Sequence, residues 1–345
     1  MRVLQAMAGA RHGGAETAFS DTVLALARHG LSQQTLIRPW PERQAQMAAG
    51  GIATGTAPFG GLVDITTRRR FRRAVSDFRP TIVQTWMQRA TRFCPPAERA
   101  GFVHLGWLGG YYGLRAYRHC HHLAGVTEAI RNHLTAAGWP PERAHVLRTF
   151  AVRESDPPVD RASLDTPADA PLIVALARLH QKKGLDVLLH AMVDLPQAFL
   201  WLAGEGPLRS ELETLCQRLG LRNRVRFLGW RTDRGALLKA ADVCAFPSRY
   251  EPFGTVTVEA WAHDTPIVAA ASDGPRATIR HGEDGLLVAI DDAGALVAAL
   301  ARILATPDLR QSLIARGRER YEAEYSEPAA VAAYLDLYHR IAPHD

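Results

Sequence analysis

Apolar residues along this chain fall into two successive series of short β-rich runs, with stretches of helical spacing between them. In the first series, Val3-Leu-Gln-Ala6, Gln34-Thr-Leu-Ile37, Thr81-Ile-Val-Gln84, Phe102-Val-His-Leu105 and Leu123-Ala-Gly-Val126 predict strands. Between the first two, the segment from Ala15 to His29 spaces Phe19, Val23 and Leu26 as one face of a helix and closes on Gly30. The second series is Leu172-Ile-Val-Ala-Leu176, Phe199-Leu-Trp-Leu202, Val225-Arg-Phe-Leu228, Val243-Cys-Ala-Phe246, Ile267-Val-Ala-Ala270 and Leu286-Leu-Val288. Strand, helix, strand in regular alternation predicts parallel, doubly wound α/β sheets of the Rossmann kind.

At 345 residues the chain exceeds what one hydrophobic core usually serves, so two domains are expected. Between the two series, Pro157, Pro158, Pro167 and Pro171 alternate with Asp156, Asp160, Asp165 and Asp169, the composition of a linker. The boundaries read as 1–155 for the first domain, 156–170 for the linker, 171–325 for the second domain and 326–345 for a closing helix. In that tail Val331, Leu335 and Tyr338 stand at spacings of four and three. Two such domains leave a cleft at the carboxyl ends of their strands, where sheets of this kind bind ligands.

Composition narrows the class. With 47% hydrophobic and 22% charged residues and no apolar run near the roughly 18 residues of a membrane span, a soluble cytoplasmic protein is expected. Met1-Arg-Val-Leu-Gln reads as a strand start rather than a secretory signal. Cys94, Cys120, Cys216 and Cys244 are scattered and suggest neither a disulfide framework nor a zinc site. Residues 1–160 hold 20 arginines and no lysine against 11 acidic residues, a net of +9; with +6 for the whole chain, the remainder carries −3. An anionic partner is therefore expected for the first domain alone. Arg68-Arg-Arg70-Phe71-Arg72-Arg73 continues to Val75 and Phe78 with its apolar residues on one stripe. That surface suits anionic lipid headgroups at the inner face of a membrane, or it is a helix packed on the sheet with its arginines in water.

The strongest chemical signal is Ser248-Arg-Tyr-Glu251-Pro-Phe253-Gly254-Thr255-Val-Thr-Val-Glu259, a glycine turn opening a helix between two glutamates eight residues apart. Such a helix start presents free N–H groups and a positive dipole end to a phosphate. Thr255 and Glu259 share a helical face about 6 Å apart, roughly the reach from a diphosphate to a ribose. Arg178 ends the strand beginning at Leu172, and Lys183 precedes Gly184 and a helical run, so both can neutralise a diphosphate and the charge that grows on it as it departs. Gly13-Gly14-Ala15-Glu16 opens the first helix and permits close approach of a ligand to the backbone. No D-x-D pair is present to chelate a metal against the phosphates, so no metal or other cofactor is expected.

Taken together these residues resemble the retaining glycosyltransferases of the GT-B fold, in the glycogen-synthase-like group that uses nucleotide sugars. Ala177-Arg178-Leu-His-Gln-Lys-Lys183-Gly184-Leu-Asp186, Gly204-Glu-Gly-Pro207, Phe227-Leu-Gly229, Ala241-Asp242, Phe246-Pro-Ser, the paired glutamates and Asp284-Gly-Leu-Leu-Val288 follow that family's order. The resemblance implies that Arg178 and Lys183 bind the donor diphosphate. It further implies that Glu251 and the Phe253-Gly254-Thr255 turn meet the transferred sugar and phosphate, and that Glu259 meets the ribose. Backbone near Gly229 would read the base, for which uridine is the common choice, with Gly14 and Gly204 also on the donor side.

Leu108-Gly109-Gly110-Tyr111-Tyr112 and His122-Leu-Ala-Gly-Val-Thr127 resemble bacterial members that build lipopolysaccharide cores. There Glu16, Trp86, Trp107, Gly110 and Tyr111 become candidates for a glycan or glycolipid acceptor, the aromatics either stacking on sugar rings or packing at the domain rim. Two departures stand out: Gly106-Trp107-Leu108-Gly109 lacks the histidine that many relatives carry, and Arg148-Thr149-Phe150 replaces a common proline and asparagine. His104 falls inside a strand and reads as a core residue. The function implied is metal-independent, retaining transfer from a nucleotide sugar, with no nucleic-acid partner. A nucleotide-sugar epimerase of the same fold and a non-catalytic, membrane-docked module are the alternatives.

Overall fold

Seven strands, β1 (Arg2–Met7), β2 (Ser32–Ile37), β3 (Ala53–Thr56), β4 (Ile82–Trp86), β5 (Val103–Leu108), β6 (His122–Gly125) and β7 (Ala144–Val146), form one all-parallel sheet. Its spatial order is β3-β2-β1-β4-β5-β6-β7. Helices α1 (Gly14–Arg28), α2 (Pro41–Ala49), α3 (Ile65–Phe78), α4 (Met87–Phe93) and α5 (Glu128–Ala136) connect them. This is a computed structural model, and it describes residues 1–11, 13–61 and 63–343.

The second series gives β8 (Leu172–Leu176), β9 (Phe199–Ala203), β10 (Val225–Gly229), β11 (Val243–Phe246), β12 (Ile267–Ala270) and β13 (Leu286–Val288), again all parallel, in the order β10-β9-β8-β11-β12-β13. Around it lie α6 (Leu185–Ala191), α7 (Arg209–Arg218), α8 (Arg234–Ala240), α9 (Thr255–Ala262), α10 (Asp273–Thr278), α11 (Ala293–Ala305) and α12 (Pro307–Arg320). A last helix, α13, spans Glu327–Ile341. The chain divides into two units: Met1–Phe150 together with everything from Glu327 onward, and Ala151–Ser326. Of the tail read as 326–345, residues 344 and 345 lie outside the described residues.

Parallel strands covered on both faces must be apolar throughout, and all five residues of β8 are buried. Each Leu, Ile or Val sequestered this way contributes about 1.5–3 kcal/mol relative to an exposed one. In α3, Asp64 caps the start by accepting from the Thr67 N–H at 2.8 Å, Phe71, Ala74 and Val75 are buried, and the arginines face water. The packed-helix reading of that segment therefore holds for its apolar stripe.

α13 belongs with the first unit because its two tyrosines are buried there. Tyr338 donates to Gln84 Oε1 at 2.6 Å and accepts from Gln5 Nε2 at 3.1 Å, while the Tyr334 ring stacks 6.4 Å from Trp86. The segment read as a linker, 156–170, is laid along the second unit. It contains a short 3-10 turn (Arg161–Leu164), and Arg161 donates to the carbonyls of Ala168, Ala170 and Ala240 and pairs with Asp242 at 3.1 Å. Proline and aspartate set its local conformation, but one buried-stem arginine supplies the docking that composition does not reveal.

Candidate active site

In the second unit the strand order reverses between β8 and β11, and the loops leaving the carboxyl ends of these neighbours diverge. In open α/β sheets that divergence is where ligands bind. The loop after β8 carries Arg178 and Lys183; the loop after β11 carries Glu251, Phe253 and Gly254 and runs into α9. The fold thus brings together residues about 70 positions apart in sequence, as the alternation of strands and helices requires.

The two loops touch backbone to backbone. Lys182 O accepts from the N–H groups of Arg249 at 2.9 Å and Tyr250 at 3.2 Å. Gly184 lies at φ 62, and a Cβ there would sit 2.2 Å from Pro247 O, so only glycine fits. Lys183 Nζ forms an ion pair with Glu251 Oε2; the side chains are 24% and 16% exposed. Arg178 is exposed and has no hydrogen bond or ion pair among the described residues. Across the reversal point, Gly254 at φ 87 caps α9 without a side-chain hydrogen bond. Thr257 N–H donates to Gly254 O at 3.0 Å, whereas the Thr255 and Val256 amides have no acceptor among the described residues. A guanidinium and a helix end with two open amides are therefore both unsatisfied by protein, the arrangement that receives a phosphate anion.

Other sequence candidates have different surroundings. Glu259 is one turn into α9, but its side chain is only 12% exposed, its Oε1 pairs with Arg234 Nη1 at 2.8 Å, and its Oε2 is buried without a partner. Burial raises its pKa above the usual carboxylate value, against the opposing pull of Arg234. Arg234, the first residue of α8, is the partner that sequence reading missed. Phe253 is buried with its ring 6.2 Å from Tyr325, so any ligand contact at that residue comes from backbone. Gly204 and Gly229 have packing reasons of their own: a Cβ on Gly204 would lie 1.9 Å from Ala177 O, and Gly229 takes φ 69. Thr255 is half-buried at the helix start. Among the described residues no group of three or more His, Cys, Asp or Glu side chains is placed to hold a metal ion.

In the first unit, two acceptor candidates are corrected. Trp86 is fully buried, donates to Gln5 Oε1 at 2.9 Å and packs against Phe19 and Trp107; Trp107 donates to the Leu147 carbonyl at 3.0 Å. Both rings are core, because indoles at strand ends fill the space beneath α1 and α13. Glu16 shapes the glycine loop by accepting from Ala10 N–H at 2.7 Å, and Gly14 faces open space. Gly110 is buried and Tyr111, half-buried, meets His133 edge-on at 5.4 Å. His104 is buried within β5 and hydrogen-bonded to Thr85 at 2.9 Å, and burial pushes its pKa down to about 3.

Comparison with known proteins places this geometry. The family described as glycosyl transferases group 1 matches residues 156–320. The lipopolysaccharide core biosynthesis glycosyltransferase LpsD of Rhizobium meliloti (strain 1021) is 36% identical over 95% of this chain and 95% of its own length. LpsE of the same organism is 35% identical over 95% and 96%. Among solved structures, Anabaena HepE in complex with UDP and glucose superposes with a TM-score of 0.83 at 19% identity, covering 99% of this chain and all of that one. The apo lipopolysaccharide outer core galactosyltransferase WaaB gives 0.75 at 15%, with 99% and 100% covered. The chain belongs to the group 1 glycosyltransferases, and its two doubly wound parallel sheets are those of the GT-B fold.

Proposed function

We propose that the chain transfers a sugar from a nucleoside diphosphate sugar, UDP favoured, to a glycan, glycolipid or small acceptor, with retention of configuration and without a metal ion. The single observation that carries this is the pair of unsatisfied groups flanking the strand reversal, Arg178 and the open amides at the start of α9. Together they offer charge and hydrogen bonds to a diphosphate without magnesium.

In the reaction the sugar C1–O bond breaks and its electron pair passes to the departing diphosphate. The acceptor hydroxyl oxygen bonds C1 on the same face, and its proton passes to a diphosphate oxygen. Arg178, Lys183 and the α9 amides stabilise the charge on the leaving group. Lys183 exchanges Glu251 for phosphate oxygens, which frees Glu251 for the sugar hydroxyls; Gly204, Gly229, Phe253 and Thr255 supply close backbone. Glu259 is assigned to the ribose; in that role its carboxylate turns toward the ligand and exchanges the Arg234 pairing for a sugar hydroxyl. The acceptor is assigned to the first unit, near Glu16, Gly110 and Tyr111. The names of LpsD and LpsE support an acceptor in lipopolysaccharide core assembly, and the UDP in the HepE complex supports a UDP-sugar donor.

The arginines of α3 fit an anionic lipid surface on which a glycolipid acceptor would be presented, consistent with a cytoplasmic protein at the inner face of the membrane. Among the described residues no helix is long and apolar enough to cross a membrane. Flotation with vesicles containing phosphatidylglycerol should carry the wild type but not a variant with Arg69, Arg72 and Arg73 changed to Ser.

The test of the reaction is incubation with UDP-, GDP- and ADP-sugars in EDTA, with and without core oligosaccharide, following product anomers by NMR. Transfer that needs acceptor, survives EDTA and keeps the donor's anomeric configuration supports the proposal. Donor conversion without acceptor favours an epimerase. Salt-dependent vesicle binding with no turnover of any sugar favours a docking module.

A further inference from the structure

We propose that Arg249 is a positioning residue for the donor grip: a three-loop clamp that holds Lys183 and Glu251 in register from behind the site. This rests on the diphosphate-binding reading given above.

Arg249 sits two residues before Glu251, with its side chain turned away from that pair and 25% exposed. Its guanidinium spends four of its five N–H groups on fixed acceptors. Nη1 and Nη2 hold the Asp186 carboxylate in a fork at 2.8 and 2.6 Å, Nη1 also donates to Gln181 O at 2.8 Å, and Nε donates to Asp291 Oδ1 at 2.6 Å. Hydrogen bonds to two carboxylates hold its pKa above the usual arginine value, and the same fork lowers that of Asp186 despite burial. Planar, bidentate pairing is what arginine does and lysine cannot.

What the clamp joins is the reason for assigning it a role in binding. Gln181 and Asp186 bracket Lys183 on the loop after β8; Arg249 itself stands on the loop that carries Glu251 and Gly254. Asp291 follows β13 at φ 63, a left-handed turn that aspartate tolerates better than most residues. The backbone bonds to Lys182 O and the Lys182 ammonium 4.6 Å above the Tyr250 ring complete the seam. Without Arg249, Asp186 and Asp291 lose their common counter-ion, and of the side-chain ties between the two donor loops the Lys183–Glu251 pair is left without its brace. A shift of about 1 Å between groups that act together is worth on the order of 100-fold in rate.

The test uses purified full-length protein and two probes, UDP and uridine, titrated by calorimetry into wild type, Arg249→Met and Arg249→Lys, with melting temperatures alongside. Uridine lacks the diphosphate, so loosened phosphate loops should spare it. The expected result is that Arg249→Met weakens UDP binding on the order of tenfold or more, with uridine affinity within twofold, and that Arg249→Lys recovers only part of the loss. Equal weakening of both probes, or unchanged UDP affinity with a lowered melting temperature, would show a purely structural residue and overturn the inference. Should Arg249→Met fail to fold, Asp291→Ala, which removes one of the four bonds, makes the same comparison with a smaller expected loss. A wild type that binds neither probe, and neither GDP nor ADP in the same titration, overturns the diphosphate reading and the clamp together.

Discussion

Gly254→Ala is the substitution that most sharply separates a built anion site from an ordinary helix start. Gly254 holds φ 87 at the cap of α9, and an added Cβ would lie 2.8 Å from Phe246 Cε1 and 3.3 Å from Glu251 Cγ. The left-handed conformation alone costs a non-glycine residue roughly 1–2 kcal/mol. Phe246 is buried at 2% exposure at the end of β11 and has little room to yield, so the total should be about 2–3 kcal/mol. At roughly 2–4 °C per kcal/mol for a domain of this size, melting of the second unit should fall on the order of 5–10 °C. If the chain instead relaxes by rotating the cap, the Thr255 and Val256 amides swing away. UDP affinity then drops at least tenfold, since even one of the two charge-assisted hydrogen bonds is worth about 1.5 kcal/mol. Differential scanning calorimetry and UDP titration read the two outcomes separately. The control is Gly14→Ala in the first unit, where an added Cβ meets nothing within 4 Å, and there stability should stay within about 0.5 kcal/mol of wild type. Unchanged melting and unchanged UDP affinity in Gly254→Ala would refute the reasoning.

Three further predictions concern charges. Arg178→Ala should cut kcat/KM for the donor about 10- to 150-fold, the range for a hydrogen bond to a charged group, while the melting temperature stays within about 1 °C because Arg178 has no partner among the described residues. Arg234→Ala leaves Glu259 largely buried without its cation and should destabilise the second unit by about 1–3 kcal/mol in calorimetry, with Arg234→Ala/Glu259→Gln recovering part of the loss. His104 is neutral when folded, with a pKa lowered to about 3 chiefly by burial; the unfolded chain takes up a proton near pH 6.5 that the folded chain refuses. Stability should therefore fall by about 2 kcal/mol between pH 6.5 and 5, and denaturant melts of His104→Gln should show a shallower loss over the same interval.

Much of this architecture is legible in the order of the residues. Val243–Phe246 and Ile267–Ala270 stand in the structure at the ends the apolar runs give them, because central parallel strands must be apolar at every position; Leu286–Val288 does so at the edge of its sheet, where Leu286 and Val288 are still buried. Ala53–Thr56 and Ala144–Val146 were invisible for the opposite reason. They are the edge strands of the first sheet, short and half-exposed, and need no apolar run. The tryptophans show a second limit: a strand-end position says where an indole sits but not which way it points, and Trp86 and Trp107 point inward. Site residues carried by local spacing, such as Gly254 opening a helix with Glu259 one turn on, could be read directly. Partners brought from a distance could not. Arg249 finds Asp186 and Asp291 from 63 and 42 positions away, and Arg234 reaches Glu259 from another helix, so only the folded chain reveals why that carboxylate is nearly closed to solvent.

The most direct measurement is a crystal structure of the protein grown with a UDP-sugar in the presence of EDTA. The expected density shows phosphate oxygens within about 3.2 Å of Arg178, Lys183 and the amides of Thr255 and Val256, with Lys183 released from Glu251. A diphosphate lodged elsewhere, or one seen only when a divalent cation is supplied to bridge it, would contradict the account.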